Sequence, residues 1–264
     1  MGAAPRGDRD GVAFVLGGGG GPLGSHEVGM LRALLERAIV PDLVLGTSVG
    51  AINGAAVCAE PTVAGVARLA ELWAAIGRRD VFGGSVLRRA RTLARTRTHL
   101  HGNELLRERL TATLGDGRIE DLAIPFQCVA ASIERACEHW FTDGPLVDAI
   151  LASAAVPGIL PPVQIGGEHF IDGGIVNSIP VDRAVLLGAR RIFVLHVGRL
   201  DRPLEPPRWP WEVALVQPTG QRDPPRYSDL SQYRYRDTSH VGERIERAHE
   251  ATAGYLDEHG LGGA

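Results

Sequence analysis

Val12-Ala13-Phe14-Val15-Leu16 runs directly into five consecutive glycines, residues 17–21. An unbroken apolar run of this length, part β-branched and part aromatic, reads as a buried strand. Beyond the glycines, Val28, Leu31, Leu34 and Leu35 fall at helical spacing, so a helix is expected over residues 25–38. The order repeats. Residues 43–45 form a second apolar strand, 51–59 a small-residue helix and 63–76 a further helix. Such strand–helix alternation predicts an α/β fold around a largely parallel sheet.

Further along, Asn103 is a candidate cap for a helix running through Leu114. Residues 126–131, 138–141 and 191–197 read as strands, and 146–155 as a short helix stopped by Pro157-Gly158. Residues 203–225 hold seven prolines and almost no periodicity, which predicts a loop or linker. Trp209, Trp211, Tyr227, Tyr233 and Tyr235 cluster in or just after it. A last helix is expected over 238–259. The expected organisation is a tail over 1–11, one domain over 12–200, the Pro-rich linker over 201–238, and a helix with its tail over 239–264.

Composition excludes several chemistries. All 28 cationic side chains are Arg. Without Lys there is no Schiff-base or pyridoxal-phosphate site, no Ser–Lys hydrolase and no phosphate loop of the Walker type. A net charge of −3 argues against a general nucleic-acid binder. Cys58, Cys128 and Cys137 form an odd set without a C-x-x-C, which fits a reducing compartment better than a disulfide scaffold. Residues 1–10 mix both charges and lack the apolar core of a secretory signal, and no apolar stretch is long enough to span a bilayer. The expected location is the cytoplasm. Residues 78–97 carry seven Arg against Asp80, with Val86, Ala90, Leu93 and Ala94 as a narrow apolar stripe. This segment reads either as a solvated cap helix or as a basic surface touching anionic lipid at the membrane periphery.

Three motifs carry chemistry. Gly46-Thr47-Ser48-Val49-Gly50 lies between a strand and a small-residue helix, the context of a nucleophile elbow. Gly46 and Gly50 remove Cβ atoms from a tight turn, and the following helix aims its N-terminus at Ser48. Gly19-Gly20-Gly21-Pro22-Leu23-Gly24 follows the first strand. A dinucleotide site would need an acid at the end of the second strand, but Asp42 precedes that strand. What remains is a row of backbone N–H groups at a helix start, an anion-binding nest that beside a serine nucleophile is an oxyanion hole. Phe170-Ile171-Asp172-Gly173-Gly174 is the third motif. A bare Asp-Gly-Gly is ordinarily a turn, but downstream of an elbow and a glycine nest Asp172 is a candidate base.

In this order the motifs resemble the patatin-like phospholipases, over residues 12–197. Residues 152–158, Ala-Ser-Ala-Ala-Val-Pro-Gly, and 174–181, Gly-Ile-Val-Asn-Ser-Ile-Pro-Val, add to the likeness. The resemblance implies a three-layer α/β sandwich with a mostly parallel central sheet. It implies a Ser48–Asp172 dyad with no catalytic His and an oxyanion hole at Gly19, Gly20 and Gly21, with Gly24, Gly46, Gly50, Gly173 and Gly174 supporting the motifs. It also implies hydrolysis of acyl esters in phospholipids, lysophospholipids or acylglycerols, with no metal and no cofactor. Two departures stand out: Leu23 occupies a position where many relatives carry Arg or Lys, and Pro22 lacks an N–H.

Other readings stay open at this point. A carboxyl of ordinary pKa is a poor base for a serine hydroxyl. Ser48, Asp172 and His196 also follow the Ser–acid–His order of a triad, although His196 falls within an expected strand. His26 is expected on the first helix near the site, where packing is its ordinary role. His99-Leu100-His101 lacks the partners of a metal site. A non-catalytic anion- or nucleotide-binding module and an acyltransferase are the competing functions. Oligomeric state is not legible.

Overall fold

The computed structural model describes residues 11–19, 21–78, 101–196, 214–216 and 240–261. Its centre is an eight-stranded sheet. β1 (Val12–Leu16) lies between β2 (Leu43–Thr47) and β7 (Arg191–Leu195), parallel to both. β3 (Phe126–Ser132) extends the parallel set beyond β2, and β8 (Ala214–Val216) extends it beyond β7. Three antiparallel strands complete it: β4 (Cys137–Phe141), β5 (Val163–Ile165) and β6 (Glu168–Asp172).

Alternation along the strands divides the core. Phe14 and Leu16 point to one face with Val44, Phe193 and Leu195. Phe14 and Phe193 meet edge-to-face at 5.6 Å. Against that face pack α1 (Ser25–Glu36), α2 (Val49–Ala59), α3 (Val63–Arg78), α4 (Glu104–Leu114), α5 (Leu146–Ser153) and α7 (Val241–Glu258). Ala13, Val15, Leu45, Ile192 and Val194 point the other way, onto α6 (Val181–Leu186). The fold is thus the expected α/β sandwich of three layers, with unequal outer layers. Among the described residues α6 is the only helix on its side.

The outer helices are joined closely. A Cβ on Gly29 of α1 would lie 2.1 Å from the Ile245 carbonyl of α7, so the two backbones touch there. Arg32–Glu246 and Arg37–Asp257 ion pairs, at 2.7 and 2.8 Å, flank the contact. Exposed pairs contribute at most about 1 kcal/mol each, so burial of Ile245, Ala248 and Leu256 does most to hold α7.

The register at β3 positions the site. Cys128 pairs with Gly46 of β2 and with Phe141 of β4, which must lie on opposite edges. Ala130 pairs with His139 of β4 and Asp172 of β6, again on opposite edges. β2 and β6 therefore share one edge of β3, end to end. β2 runs parallel to β3 and stops opposite Val129; β6 runs antiparallel and stops opposite Ala130. The two strand ends face each other.

Several expectations are corrected. Residues 203–225 are not wholly a loop, because Ala214–Val216 adds a parallel strand to the sheet. β7 ends at Leu195, so His196 stands just past the strand rather than within it. Asn103 precedes α4, but its side chain makes no capping hydrogen bond. α1 ends at Glu36, and Ala38 beyond it takes a left-handed φ of 56°. Of the Arg-rich segment 78–97 only Arg78 falls within the described residues, and the five aromatics of 209–235 fall outside them.

Candidate active site

Ser48 sits at the tip where β2 turns into α2. Its backbone has φ 56° and ψ −119°, a conformation L-residues rarely adopt. Holding it costs on the order of 1–3 kcal/mol, which the surroundings must offset. Two glycines make the turn sterically feasible. A Cβ on Gly50 would lie 2.3 Å from the Leu16 carbonyl oxygen, and one on Gly46 would lie 2.6 Å from the Ala51 Cα. The Ser48 N–H donates to Ser153 Oγ at 2.9 Å, and Thr47 Oγ1 donates to the Asn177 carbonyl at 3.0 Å. These bonds anchor the elbow to α5 and to the segment after β6.

Asp172 ends β6, and its Oδ2 accepts a 2.6 Å hydrogen bond from Ser48 Oγ. The other oxygen, Oδ1, accepts from the Gly174 N–H at 2.7 Å. The Asp172 N–H donates to the Ala155 carbonyl at 3.0 Å. Gly173 packs so closely that a Cβ there would meet the Val129 carbonyl at 2.1 Å. Ser48 and Asp172 are only 6% and 7% exposed. Burial pushes the Asp172 carboxyl above its ordinary value, while the bonds from Ser48 and Gly174 pull it partly back. No charged group is among the causes of that shift. Desolvation thus acts to raise its basicity above that of an exposed Asp.

The alternative triad geometry, Ser48–Asp172–His196, is not formed. The Ser48 hydroxyl has one proton, and it is directed at Asp172. His196 lies instead against Gly17, where a Cβ would stand 2.6 Å from its Nδ1. That Nδ1 is buried without a hydrogen-bond partner among the described residues. Burial pushes the His196 imidazole down to about 4, so it is neutral at ordinary pH. His26 lies on α1 with Nδ1 3.0 Å from the Leu23 carbonyl, and its burial lowers its pKa. His101 donates its backbone N–H to the Ile159 carbonyl at 3.0 Å, and His99 lies outside the described residues. No group of three potential metal ligands occurs among the described residues.

The glycine loop crosses in front of the elbow. Gly17 N–H donates to Leu195 and Gly18 N–H to Ser178, both at 2.9 Å, so these two amides are occupied. A Cβ on Gly18 would come within 3.8 Å of the Ser48 Cβ. Gly19 follows, Gly20 lies outside the described residues, and Gly21–Gly24 forms one 3₁₀ turn leading into α1. Gly24 packs on Trp73, whose ring a Cβ would meet at 2.5 Å. An apolar cavity begins at Ser48 and is lined further by Ile52, Trp73, Ile76, Leu106, Ile159 and Leu160. In the sequence, Ser153 and Asn177 stand out only within the stretches 152–158 and 174–181, with no role assigned, and the wall residue Trp73 is not singled out. Their roles depend on contacts across the fold.

The Patatin-like phospholipase family model matches residues 14–185. The chain is 32% identical over 192 residues to Neuropathy target esterase sws of Drosophila melanogaster, covering 72% of this chain and 13% of that protein. It is 34% identical over 194 residues to Lysophospholipase nte1 of Aspergillus terreus, covering 72% of this chain and 12% of that protein. The chain therefore spans only a small part of the length of these relatives. VipD from Legionella pneumophila shares the fold with a TM-score of 0.50 at 13% identity, over 95% of this chain and 67% of that one. The glycine loop, the strained serine elbow and the Asp-Gly-Gly that meets it all lie within or against the matched region, and the chain belongs to the patatin-like phospholipase family.

Proposed function

We propose that the protein is a serine acyl hydrolase acting on lipid esters through a Ser48–Asp172 dyad. The observation that carries this is the 2.6 Å bond from Ser48 Oγ to Asp172 Oδ2, made by a serine in a strained elbow at the head of an apolar cavity. Ser48 Oγ attacks the ester carbonyl while its proton passes to Asp172. The tetrahedral oxyanion collapses, the alcohol leaves with that proton, and an acyl-enzyme remains. Asp172 then takes a proton from water as the water oxygen attacks the acyl carbon; the bond to Ser48 Oγ breaks, Asp172 returns the proton to that oxygen, and the fatty acid leaves.

The oxyanion is held by backbone amides of Gly19, Gly20 and Gly21, with that of Val49 beside them. Gly17 and Gly18 are excluded because their N–H groups are already bonded. Val49 begins α2, and the first amides of a helix have no partner within it, so its positive end faces the developing charge. The lining of the cavity suits apolar acyl carbons beside the serine: apart from Ser48 and the Trp73 indole, its side chains are aliphatic. The names of the relatives, an esterase and a lysophospholipase, favour phospholipid and lysophospholipid substrates. No described helix is long and apolar enough to cross a membrane. Access to lipid is proposed through peripheral contact, with the Arg-rich segment 78–97 as the basic surface.

The test is free fatty acid release from a panel of phospholipids, lysolipids and short-chain p-nitrophenyl esters, with a fluorophosphonate probe for the nucleophile. Release from lysolipids, with labelling lost in Ser48→Ala, is expected. No labelling and no release would leave a non-catalytic anion-binding module as the better reading.

A further inference from the structure

Glu27 belongs to the opening turn of α1, and none of its surface is exposed. Its Oε2 accepts from Asn53 Nδ2 at 2.7 Å. Its Oε1 is equally buried and has no hydrogen-bond partner among the described residues. Burying a carboxylate without a countercharge is among the costliest arrangements a fold can contain. Burial is the largest influence on this group and raises its pKa well above the ordinary carboxyl value; only the Asn53 bond opposes it. Burial therefore disfavours the ionised form of Glu27, and the dyad chemistry does not use this side chain.

What it holds is more informative. Asn53, on α2, is also fully buried. One Nδ2 hydrogen goes to Glu27 and the other to the Gly24 carbonyl at 2.9 Å. Its Oδ1 accepts from the Trp73 indole N–H at 2.7 Å. A single amide thus ties the end of the glycine turn, the first helix, the elbow helix and the cavity wall on α3. Gly24 also packs directly on the Trp73 ring and on the Val49 Cβ, the residue next to Ser48.

We propose that Glu27, acting through Asn53, is a positioning residue that fixes the glycine loop and Trp73 relative to Ser48, so that the loop amides stand where the oxyanion forms. The proposal rests on the acyl-hydrolase reading above. Removing Glu27 leaves one Asn53 hydrogen without an acceptor and frees the amide to turn. The Gly24 carbonyl then loses its fixed donor, and displacement of the loop by a fraction of an ångström weakens bonds made mainly in the transition state.

The experiment measures kcat and KM on a soluble p-nitrophenyl butyrate, with kcat expressed per fluorophosphonate-reactive serine so that any unfolded fraction drops out. Glu27→Leu is expected to lower kcat by about 10- to 100-fold with KM changed less than about twofold. Glu27→Gln keeps an acceptor oxygen for Asn53 in the same shape and is expected to restore kcat to within about threefold of wild type. Trp73→Phe removes only the indole donor and is expected to lower kcat in the same direction; it stands in where Glu27→Leu does not fold. Wild-type kcat in Glu27→Leu or in Trp73→Phe, a Glu27→Gln as slow as Glu27→Leu, or a loss confined to KM would each overturn the proposal. Ser48→Ala is assayed alongside. Undiminished hydrolysis there would overturn the Ser48 dyad reading instead, and no hydrolysis by the wild type would overturn the acyl-hydrolase reading, which keeps the failures apart.

Discussion

Ser48 and Asp172, 124 positions apart in the chain, meet because β2 and β6 occupy successive stretches of one edge of β3. Neither strand alone brings a functional group to the other. The site forms only when the central parallel strands and the antiparallel β6 have both docked on β3.

The proposed dyad predicts a specific mutational pattern. Ser48→Ala and Asp172→Asn should each lower ester hydrolysis by about three orders of magnitude or more, with the fold retained. His196→Ala should keep most of the activity, because the serine proton goes to Asp172. Initial rates on a soluble ester, with circular dichroism as the folding control, check this. A His196 variant as inactive as Ser48→Ala would make the enzyme a triad hydrolase.

The activity should also show an acid limb displaced upward. In the proposed dyad Asp172 is ionised to take the proton, and burial raises its pKa above the ordinary carboxyl value. As pH falls through that raised pKa the base is lost, so kcat/KM should decline at a pH above that of an exposed Asp. A pH–rate profile on a neutral ester reads it directly. A limb at or below the ordinary Asp value would mean that a different group limits the rate.

The same two buried acids predict a stability change of defined sign. Asp172 and Glu27 both have pKa values raised on folding. Their contribution is fully present below the unfolded carboxyl pKa and is lost as pH rises through the folded one, because the unfolded chain gains by ionising. Asp172→Asn and Glu27→Gln remove that penalty. Each should therefore gain in Tm relative to wild type at pH 8 compared with pH 4–5, in thermal melts across this range. A pH-independent difference would show that folding does not raise the pKa of these acids.

Gly50 and Gly254 should respond oppositely to the same substitution. A Cβ on Gly50 would meet the Leu16 carbonyl oxygen at 2.3 Å, whereas one on Gly254, within α7, meets nothing within 4 Å. Gly50→Ala should destabilise by about 3 kcal/mol, as expected for an overpacked core. Gly254→Ala should stabilise by about 0.5–1 kcal/mol through helix propensity. Chemical denaturation curves for both variants make the comparison.

These features differ in how far the sequence exposes them. The elbow was legible because its mark is local: glycines stand two residues either side of Ser48, where Ala51 crowds Gly46 and the distant Leu16 crowds Gly50. Asp172 was legible as a candidate, but its partnership with Ser48 depends on edge-sharing by β2 and β6, which no periodicity encodes. β5, β8 and α6 are too short, at three, three and six residues, to set up a readable pattern. Glu27 has the spacing of an ordinary helix acid, and nothing nearby in the chain marks it as buried. Asn103 illustrates the reverse error, a good capping residue that makes no cap.

The Arg-rich segment yields a test independent of the dyad. Residues 78–97 carry a formal charge of +6 in a chain of −3. Weak, salt-sensitive binding to anionic vesicles is expected, each Arg near the surface contributing about 1 kcal/mol. Changing Arg88, Arg89 and Arg91 to Gln should abolish it while hydrolysis of a soluble ester continues. Vesicle sedimentation at low and high salt decides; equal pelleting of both proteins would favour a solvated cap.

The contact between Gly29 and Ile245 has a consequence for how the protein is made. α7 is synthesised more than 200 residues after the α1 surface it covers, as the Arg32–Glu246 separation of 214 positions indicates. Until α7 emerges from the ribosome, the backbone of α1 at Gly29 and the apolar side chains that meet Ile245 and Ala248 face water. Translation pauses before that point would therefore hold the glycine loop and the serine elbow on an unsealed first helix, a species open to chaperone capture and aggregation. Docking of α7 on α1, rather than completion of either motif, is then the step that closes this side of the fold.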